Sequence, residues 1–494
     1  MRHGGAPRGA HVSSVERQQS DERLPTLPAL DGIRAVAVAA VLLYHSDIYW
    51  FPGGLLGVEV FFVLSGYLIT SLLWSELGSS SRVDMPQFWR RRARRLFPAL
   101  FLMLAVVSAI WVFALPGEVA RVRGDVAAAA TYTSNWYLIH GNHSYFISFA
   151  RPSPFGHLWS LAIEEQFYLV WPPLLFVLWK VLRKPRRIAP VILAGAAASA
   201  IALALLYHTG DPSRIYYGTD TRAAGLLIGS ALALLWRPFD APPLTRRAVP
   251  WKLDAMTIAA CGVLVWSFMR FDDLSSWTYR PGLLLVSVAT AALIAACVHP
   301  DARVARVLGT RPLRWLGKRS YSIYIWYFPV FVLTRPGVDF DVTIGTAFAI
   351  RLAATVTLAA LSYRFVEQPI RNGALGRVRH SLAEHVRAPS PFGRRWTLRL
   401  TTAAAAFMLL VSGLAVAMAR APTPPPSDTP DASSVGVIGR PEDIGSIDLD
   451  VGGPRSIIAI GDSVMSGARP ELRAYFGKIR IDAVVGRQVK EGIA

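Results

Sequence analysis

Apolar runs of membrane-crossing length recur along the whole chain, and no other feature constrains its fold as strongly. Eleven candidate helices fall at about 29–46, 55–77, 96–115, 158–182, 188–207, 222–236, 253–270, 281–298, 320–335, 342–364 and 400–419. A helix needs roughly 20 apolar residues to cross a bilayer, and these runs approach that length. Only 17% of the residues are charged and the mean hydropathy is +0.36, where a soluble globular chain averages about 25% charged. The reading is an all-α polytopic membrane protein.

The formal net charge of +19 invites a nucleic-acid reading, but its placement argues for topology. Loops 78–95, 180–187, 237–252, 299–319 and 371–399 are rich in Lys and Arg, and the loops between them carry few cations. That alternation is the positive-inside pattern. With the Arg-bearing tail 1–26 it puts the N-terminus in the cytoplasm and residue 420 outside. The first apolar run reads as an uncleaved signal-anchor, since no separate apolar core with a small-residue cleavage site precedes it. The weakly apolar stretch 125–140 would break the alternation if it spanned, so an outer or re-entrant segment is expected there. Cys261 and Cys297 lie in apolar runs without metal-ligand spacing and read as packing residues. Neither a metal site nor a nucleic-acid partner is expected.

After Arg420 the composition turns Pro-, Ser-, Asp- and Gly-rich, as in an extended linker over 421–455. The linker meets a short apolar run (Ile457 to Ile460), then Gly461-Asp462-Ser463, a helix-like stretch to about Phe476 and a second strand from Ile479 to Val485. Strand, tight turn with Ser, then helix is how a hydrolase-type serine is presented at a helix N-terminus. Only 31 residues follow Ser463, too few to finish an ordinary α/β domain, so a fragment or an incomplete last domain is expected.

The first apolar run carries Arg34 and, eleven residues on, His45. Eleven steps of about 100° make roughly three helical turns, so both side chains share one face about 16 Å apart. Ionisable groups inside a membrane helix are costly and usually face a polar interior, although a snorkelling Arg and an interfacial His would look the same. The second run holds Glu59, then Ser65-Gly66. This carboxylate is either functional or a structural partner for Arg34 or another cation. Arg92 and Arg95, in RRRARRL at 90–96, face one way at the mouth of the third run. Guanidinium groups bind phosphate bidentately, so a nucleotide-bearing donor such as coenzyme A suits them, as does plain positive-inside topology. His157 precedes the fourth run, and Glu164-Glu165 lie within its boundary region, where adjacent acids are hard to explain as packing. Arg222, entering the sixth run, is an anchoring cation or a substrate contact.

Seven stretches between residues 27 and 372 resemble the acyltransferase-3 family of integral membrane O-acyltransferases. They are the Arg-x10-His run, GVEVFFVLSGYLIT, FWRRRARRLFPAL, HLWSLAIEEQFYLVWP, DTRAAGLLIG, LGKRSYSIYIWYFPV and LSYRFVEQPIR, in family order. The tail resembles the SGNH hydrolase-like domain fused to many such proteins. The resemblance implies a ten-helix core over 27–372, a basic loop 373–399, an eleventh linking helix 400–420, the linker, and the start of an extracytoplasmic α/β SGNH-like domain at 456–494. It implies transfer of an acyl group, usually acetyl, from coenzyme A inside to a glycan hydroxyl outside. Arg34 and His45 match the family's essential pair, Arg92 and Arg95 its donor-side Arg-x-x-Arg, Ser463 the SGNH nucleophile, and Gly486 the second-block glycine.

Three departures stand out. Glu59 replaces a frequent Asp; Tyr327 stands where the family often has His before x-Pro; and the SGNH Asn and Asp-x-x-His blocks are absent from the sequence. A serine without a base is weakly nucleophilic.

The expected catalytic set is therefore His45, Arg34, Glu59, Glu164 and Ser463, with Arg92 and Arg95 on acetyl-CoA and with Arg222 and His157 on substrate. His45 acts as general base or takes the acyl group itself. The acceptor is an envelope glycan, either peptidoglycan or a surface polysaccharide. The rivals are a small secreted sugar or antibiotic as acceptor, and a glycan or lipid transporter, which many helices with intramembrane charges also fit.

Overall fold

Pro28 at the first turn opens helix α1 (Pro28–Tyr44), where its missing N–H costs nothing. The computed structural model describes residues 27–46, 51–141, 143–145, 151–208, 211–237, 250–299, 302–374, 376, 402, 409, 412–422, 458–461 and 480–483. After α1 come α2 (Gly57–Ser80) and α3 (Met85–Ala114), the latter capped by Asp84, whose carboxylate accepts from Gln87 N at 2.9 Å. The stretch expected as outer or re-entrant is two short helices, α4 (Val119–Ala130) and α5 (Ser134–His140), broken at Tyr132 in the left-handed region. Then follow α6 (Trp159–Leu182), α7 (Pro185–Leu205), α8 (Ser213–Tyr217), α9 (Thr219–Leu235), α10 (Pro250–Arg270) and α11 (Leu283–Cys297). The last helical part holds α12 (Arg303–Leu308), α13 (Arg311–Lys318), α14 (Ser320–Leu333), α15 (Ile344–Ser362) and α16 (Gln368–Arg371).

Seven helical stretches are long and apolar enough to cross a membrane: Pro52–Ser80, Met85–Ala114, Gly156–Leu182, Pro185–Leu205, Trp251–Arg270, Thr278–Cys297 and Ile344–Arg371. The other three expected core spans are shorter, with 17 residues in α1, 17 in α9 and 14 in α14. All three are largely buried among longer helices. Of the expected eleventh helix, residues 412–420 are helical, and Met418 packs beside Trp111 and Trp326. Large apolar side chains such as Val181, Leu205 and Ile258 stay exposed at 72%, 75% and 72%. In water such a belt would aggregate; in a bilayer it is the lipid face. The chain is an all-α polytopic membrane protein.

Close helix packing explains the glycines of the sixth apolar run. Gly225 and Gly229 form a small-xxx-small stripe that lets α9 lie directly on α2. A Cβ on Gly229 would sit 1.9 Å from Val63 O, and one on Gly66 would sit 1.9 Å from Leu226 O.

Prolines inside helices are tolerated where something else takes the freed carbonyl. Pro172 in α6 leaves Tyr168 O without its i+4 donor, and the Trp89 indole of α3 donates to it at 3.0 Å. Helix α13 packs on the start of α1. Two π-helical turns occur, Thr278–Gly282 leading into α11 and Tyr363–Glu367 following α15; Glu367 in the second accepts from Ser322 and Ser362.

Beyond the linker, β1 (Ile458–Gly461) pairs in parallel with β2 (Arg480–Ala483), with Ile458 opposite Arg480 and Gly461 opposite Ala483. Two parallel strands need a crossover between them, as the strand-turn-helix-strand reading of this tail supposes.

Candidate active site

At the Arg-rich end of the bundle, α1, α2, α3, α6 and α14 enclose a cavity of about 70 Å³. Arg34, Arg92 and Arg95 line it together with Ser65, Glu164 and Tyr168. Glu165, the neighbouring acid, does not line it. Ser65 Oγ donates to Glu164 Oε1 at 2.8 Å, and Tyr168 OH donates to Ser65 Oγ at 3.0 Å, which fixes the one carboxylate of this site. The Arg92 guanidinium lies over the Phe88 and Tyr168 rings, 5.6 and 5.4 Å from their centroids. Among the described residues, no carboxylate comes within 4.0 Å of Arg34, Arg92 or Arg95. Three guanidinium groups that lack a carboxylate within 4.0 Å among the described residues make a receptor for an anion.

His45 terminates α1 and faces a second, wider cavity of about 470 Å³. Its Nδ1 lies 2.9 Å from Val41 O, which accepts only, so Nδ1 carries the proton. That leaves the lone pair on Nε2, where Tyr145 OH donates at 2.9 Å. The cavity carries charge of both signs, with Glu118, Asp125 and Asp273 in its lining beside Arg121, Arg151 and His143. Burial pushes the Asp125 carboxyl up to about 6, against a hydrogen bond from Ser153 that lowers it. Burial likewise raises Asp273, although Tyr44 OH donates to its Oδ2 at 2.7 Å. At the rim, Arg151 bridges Glu118 (3.3 Å) and Asp339 (2.8 Å); Asp339 also accepts from Arg335, which holds its carboxyl well below the usual range.

A wall of rings separates the two cavities, which share no lining residue. Tyr324 lines the arginine cavity. Its ring centroid is 5.5 Å from both His157 and Tyr327, and Tyr327 is 5.3 Å from His45. His157 and Tyr327 are 1% exposed and line neither cavity. Tyr327, standing where the related motif often has His, thus lies between the two histidines. Among the described residues, neither ring nitrogen of His157 reaches a partner with hydrogen-bond geometry, though the backbone at Ile325 and Pro154 lies close.

Two expected site residues are placed elsewhere. Glu59 does not meet Arg34; it pairs with Arg222 at 3.0 Å, both side chains being almost fully buried. Ser287 Oγ donates to Glu59 Oε1 at 2.6 Å, and Gly225 leaves the space that oxygen needs. Arg222 is ringed by Phe62, Trp159 and Tyr216 at 5.2–5.9 Å and lines neither of the two cavities above. It enters the bundle because an inward-facing acid on α2 awaits it.

Ser463 lies outside the described residues, as does Gly486. Sequence reading missed Tyr145, Asp125, Asp273 and Tyr324. The polar loop holding Tyr145 carries no motif; Tyr324 sat unremarked inside a quoted one.

Comparison with known proteins gives this geometry a family. Residues 27–364 match the model described as Acyltransferase domain. The chain is 37% identical to the peptidoglycan O-acetyltransferase OatA of Listeria monocytogenes, over 94% of this chain and 80% of that protein. It is 44% identical to the putative peptidoglycan O-acetyltransferase YrhL of Bacillus subtilis, over 70% of this chain and 55% of that one. The O-acetyltransferase OatA of Staphylococcus aureus is 41% identical, over 70% and 57%. This chain thus spans little more than half the length of the latter two. No solved structure matches it. Group transfer, rather than export, is the chemistry of this family, and the chain belongs to it: it is a multi-pass membrane acyltransferase.

Proposed function

We propose that this acyltransferase moves an acetyl group from cytoplasmic acetyl-CoA to a hydroxyl of a cell-envelope glycan outside, with peptidoglycan as the first acceptor to test. One observation carries the reading: a single helix sets Arg34 in a cavity with two further guanidinium groups and His45 at a wider cavity lined by charged residues, roughly 16 Å apart. The names of the relatives support acetyl as the group and peptidoglycan as the acceptor. The basic loops support a cytoplasmic N-terminus and an extracytoplasmic tail, with the arginine cavity facing the cytoplasm.

In this reading Arg92 and Arg95 hold the donor's phosphates at the cavity mouth, and the slim pantetheine arm runs inward past Arg34 and Glu164. His45 Nε2 takes the proton of the attacking hydroxyl. The new ester C–O bond forms as the thioester C–S bond breaks, and the proton passes on to the departing thiolate. Acetyl ester and free coenzyme A leave on opposite sides. Glu59 and Arg222 are given a positioning role, fixing α2 against α9 beside the ring wall. His157 belongs to that wall, next to the path of the group. The parallel β1–β2 pair supports an SGNH-like outer domain in which Ser463 receives the group before the glycan does.

The test is base-labile O-acetyl on purified envelope glycans from cells with the full gene, without it, and with His45→Ala. Loss in both defective strains is expected. Unchanged O-acetyl in both overturns the reading.

A further inference from the structure

Resting on the function proposed above, we infer that Arg371 is a further donor-binding residue, which joins Arg92 and Arg95 on the phosphates of the acyl donor. It is the last residue of α16, and α16 packs on α3, the helix that carries the other two. The turn before it is anchored beside the arginine cavity. Glu367 is buried, at 3% exposure, and accepts from Ser322 of α14 and from Ser362. Ser320, Tyr321 and Tyr324 of that same α14 line the cavity. Arg371 follows Glu367 by four residues, so the two stand one helical turn apart on the same side. Arg371 is exposed and does not line the cavity, whereas Arg34, Arg92 and Arg95 are half-buried in its wall.

The charges acting most strongly on Arg95 are the guanidinium groups of Arg34, Arg92 and Arg371. Glu164, Glu165 and Glu367 are within electrostatic reach of Arg95. Among the described residues, however, no carboxylate comes within 4.0 Å of Arg95 or Arg371. Like charges gathered in this way repel one another, and a bound polyanion relieves the repulsion. Coenzyme A carries a diphosphate and a further phosphate on its ribose, which a cluster of guanidinium groups can pair bidentately. Arg371 meets the part of the donor that stays outside the cavity. Arg364 supplies the contrast. It is also an exposed cation of the same segment, but it lies over the Phe365 ring at 5.8 Å and is not among the cations acting most strongly on Arg95. A plain positive-inside role would make the two arginines equivalent.

The experiment uses membranes holding the full chain, radiolabelled acetyl-CoA at graded concentrations, and isolated cell-wall glycan as acceptor. Wild type, Arg371→Ala, Arg371→Lys and Arg364→Ala are compared by base-released acetyl ester. The KM for acetyl-CoA should rise on the order of 10-fold in Arg371→Ala, as for a lost charge-assisted contact, with kcat little changed. Arg371→Lys, which keeps the charge, should fall between it and wild type, and Arg364→Ala should keep the wild-type KM. A wild-type KM in Arg371→Ala overturns the inference, and so does an equal rise in Arg364→Ala. Should Arg371→Ala transfer nothing, the thermal-midpoint shift that coenzyme A gives the purified full chain decides. The shift must shrink relative to wild type; an equal shift overturns the inference. If the wild type itself neither transfers acetyl nor responds to coenzyme A, the underlying function has failed and the inference falls with it.

Discussion

Tyr145 OH donates to His45 Nε2 at 2.9 Å, while Val41 O holds the proton on Nδ1. The hydroxyl stands where an acceptor hydroxyl has to stand if Nε2 is to deprotonate it. The geometry rehearses the reaction with a side chain in place of the substrate.

Replacing His45 by Ala should therefore lower transfer by about 10²-fold or more, the range for losing a positioned general base. Tyr145→Phe only vacates the position and should cost less than about tenfold. Acetyl release from labelled donor in isolated membranes, normalised to folded protein, separates the two. Equal losses would make Tyr145 part of the chemistry itself.

The arginine cavity makes a different prediction. With Arg92 and Arg95 lacking carboxylate partners within 4.0 Å among the described residues, each Arg→Ala change should raise the KM for acetyl-CoA, on the order of 10-fold for a lost charge-assisted contact. The effect should shrink with added salt. Dephospho-CoA, which lacks one phosphate, should be less sensitive to at least one of the two changes. Initial rates with both donors at two ionic strengths check it.

For Glu59 and Arg222 the prediction concerns stability. Removing one member of a buried ion pair costs about 3–5 kcal/mol because the other charge is left stranded, whereas an apolar pair in its place is often tolerated. Glu59→Leu alone should sharply lower the thermal midpoint in detergent, and Glu59→Leu with Arg222→Met should recover much of it. If Glu59→Gln instead kept the midpoint and lost transfer, the carboxylate would be acting on substrate.

Asp125 gives a pH dependence. Burial pushes its carboxyl up to about 6 in the fold, above the ordinary 3.8 of the unfolded chain, so between these values the folded state binds more protons. Stability then falls as pH rises through that window. Asp125→Asn removes the penalty: it should gain on wild type by roughly 2–3 kcal/mol at pH 8 and by little at pH 4. Thermal midpoints of both proteins at the two pH values test the sign.

Much of this site could be read from the sequence, for reasons that stop at definite residues. Arg34 and His45 lie on one helix, so spacing alone puts them on one face. Arg92 and Arg95 follow in the same way from α3. Pairing across the bundle is different. Glu59 and Arg222 lie 163 positions apart, and nothing local says that α9 rather than α1 brings the cation to α2. Gly66, Gly225 and Gly229 carry that information as an absence of side chain, which becomes legible once the two helices are laid together. Tyr145 was out of reach because its loop has no periodicity to place it. Helices α1, α9 and α14 stay shorter than a lipid-crossing helix, since a helix sheltered by its neighbours need not match the lipid by itself.

The proline of α6 has a last consequence. By lacking one N–H, Pro172 releases the carbonyl of Tyr168, and Trp89 of α3 takes it. Trp89 lies three residues before Arg92, and Tyr168 packs its ring under the Arg92 guanidinium. The gap in one helix thus works as a peg for the next, locking the height at which α3 presents its cations to the cavity. Mending α6 with an alanine would close its own ladder and cut the arginine helix loose from its register.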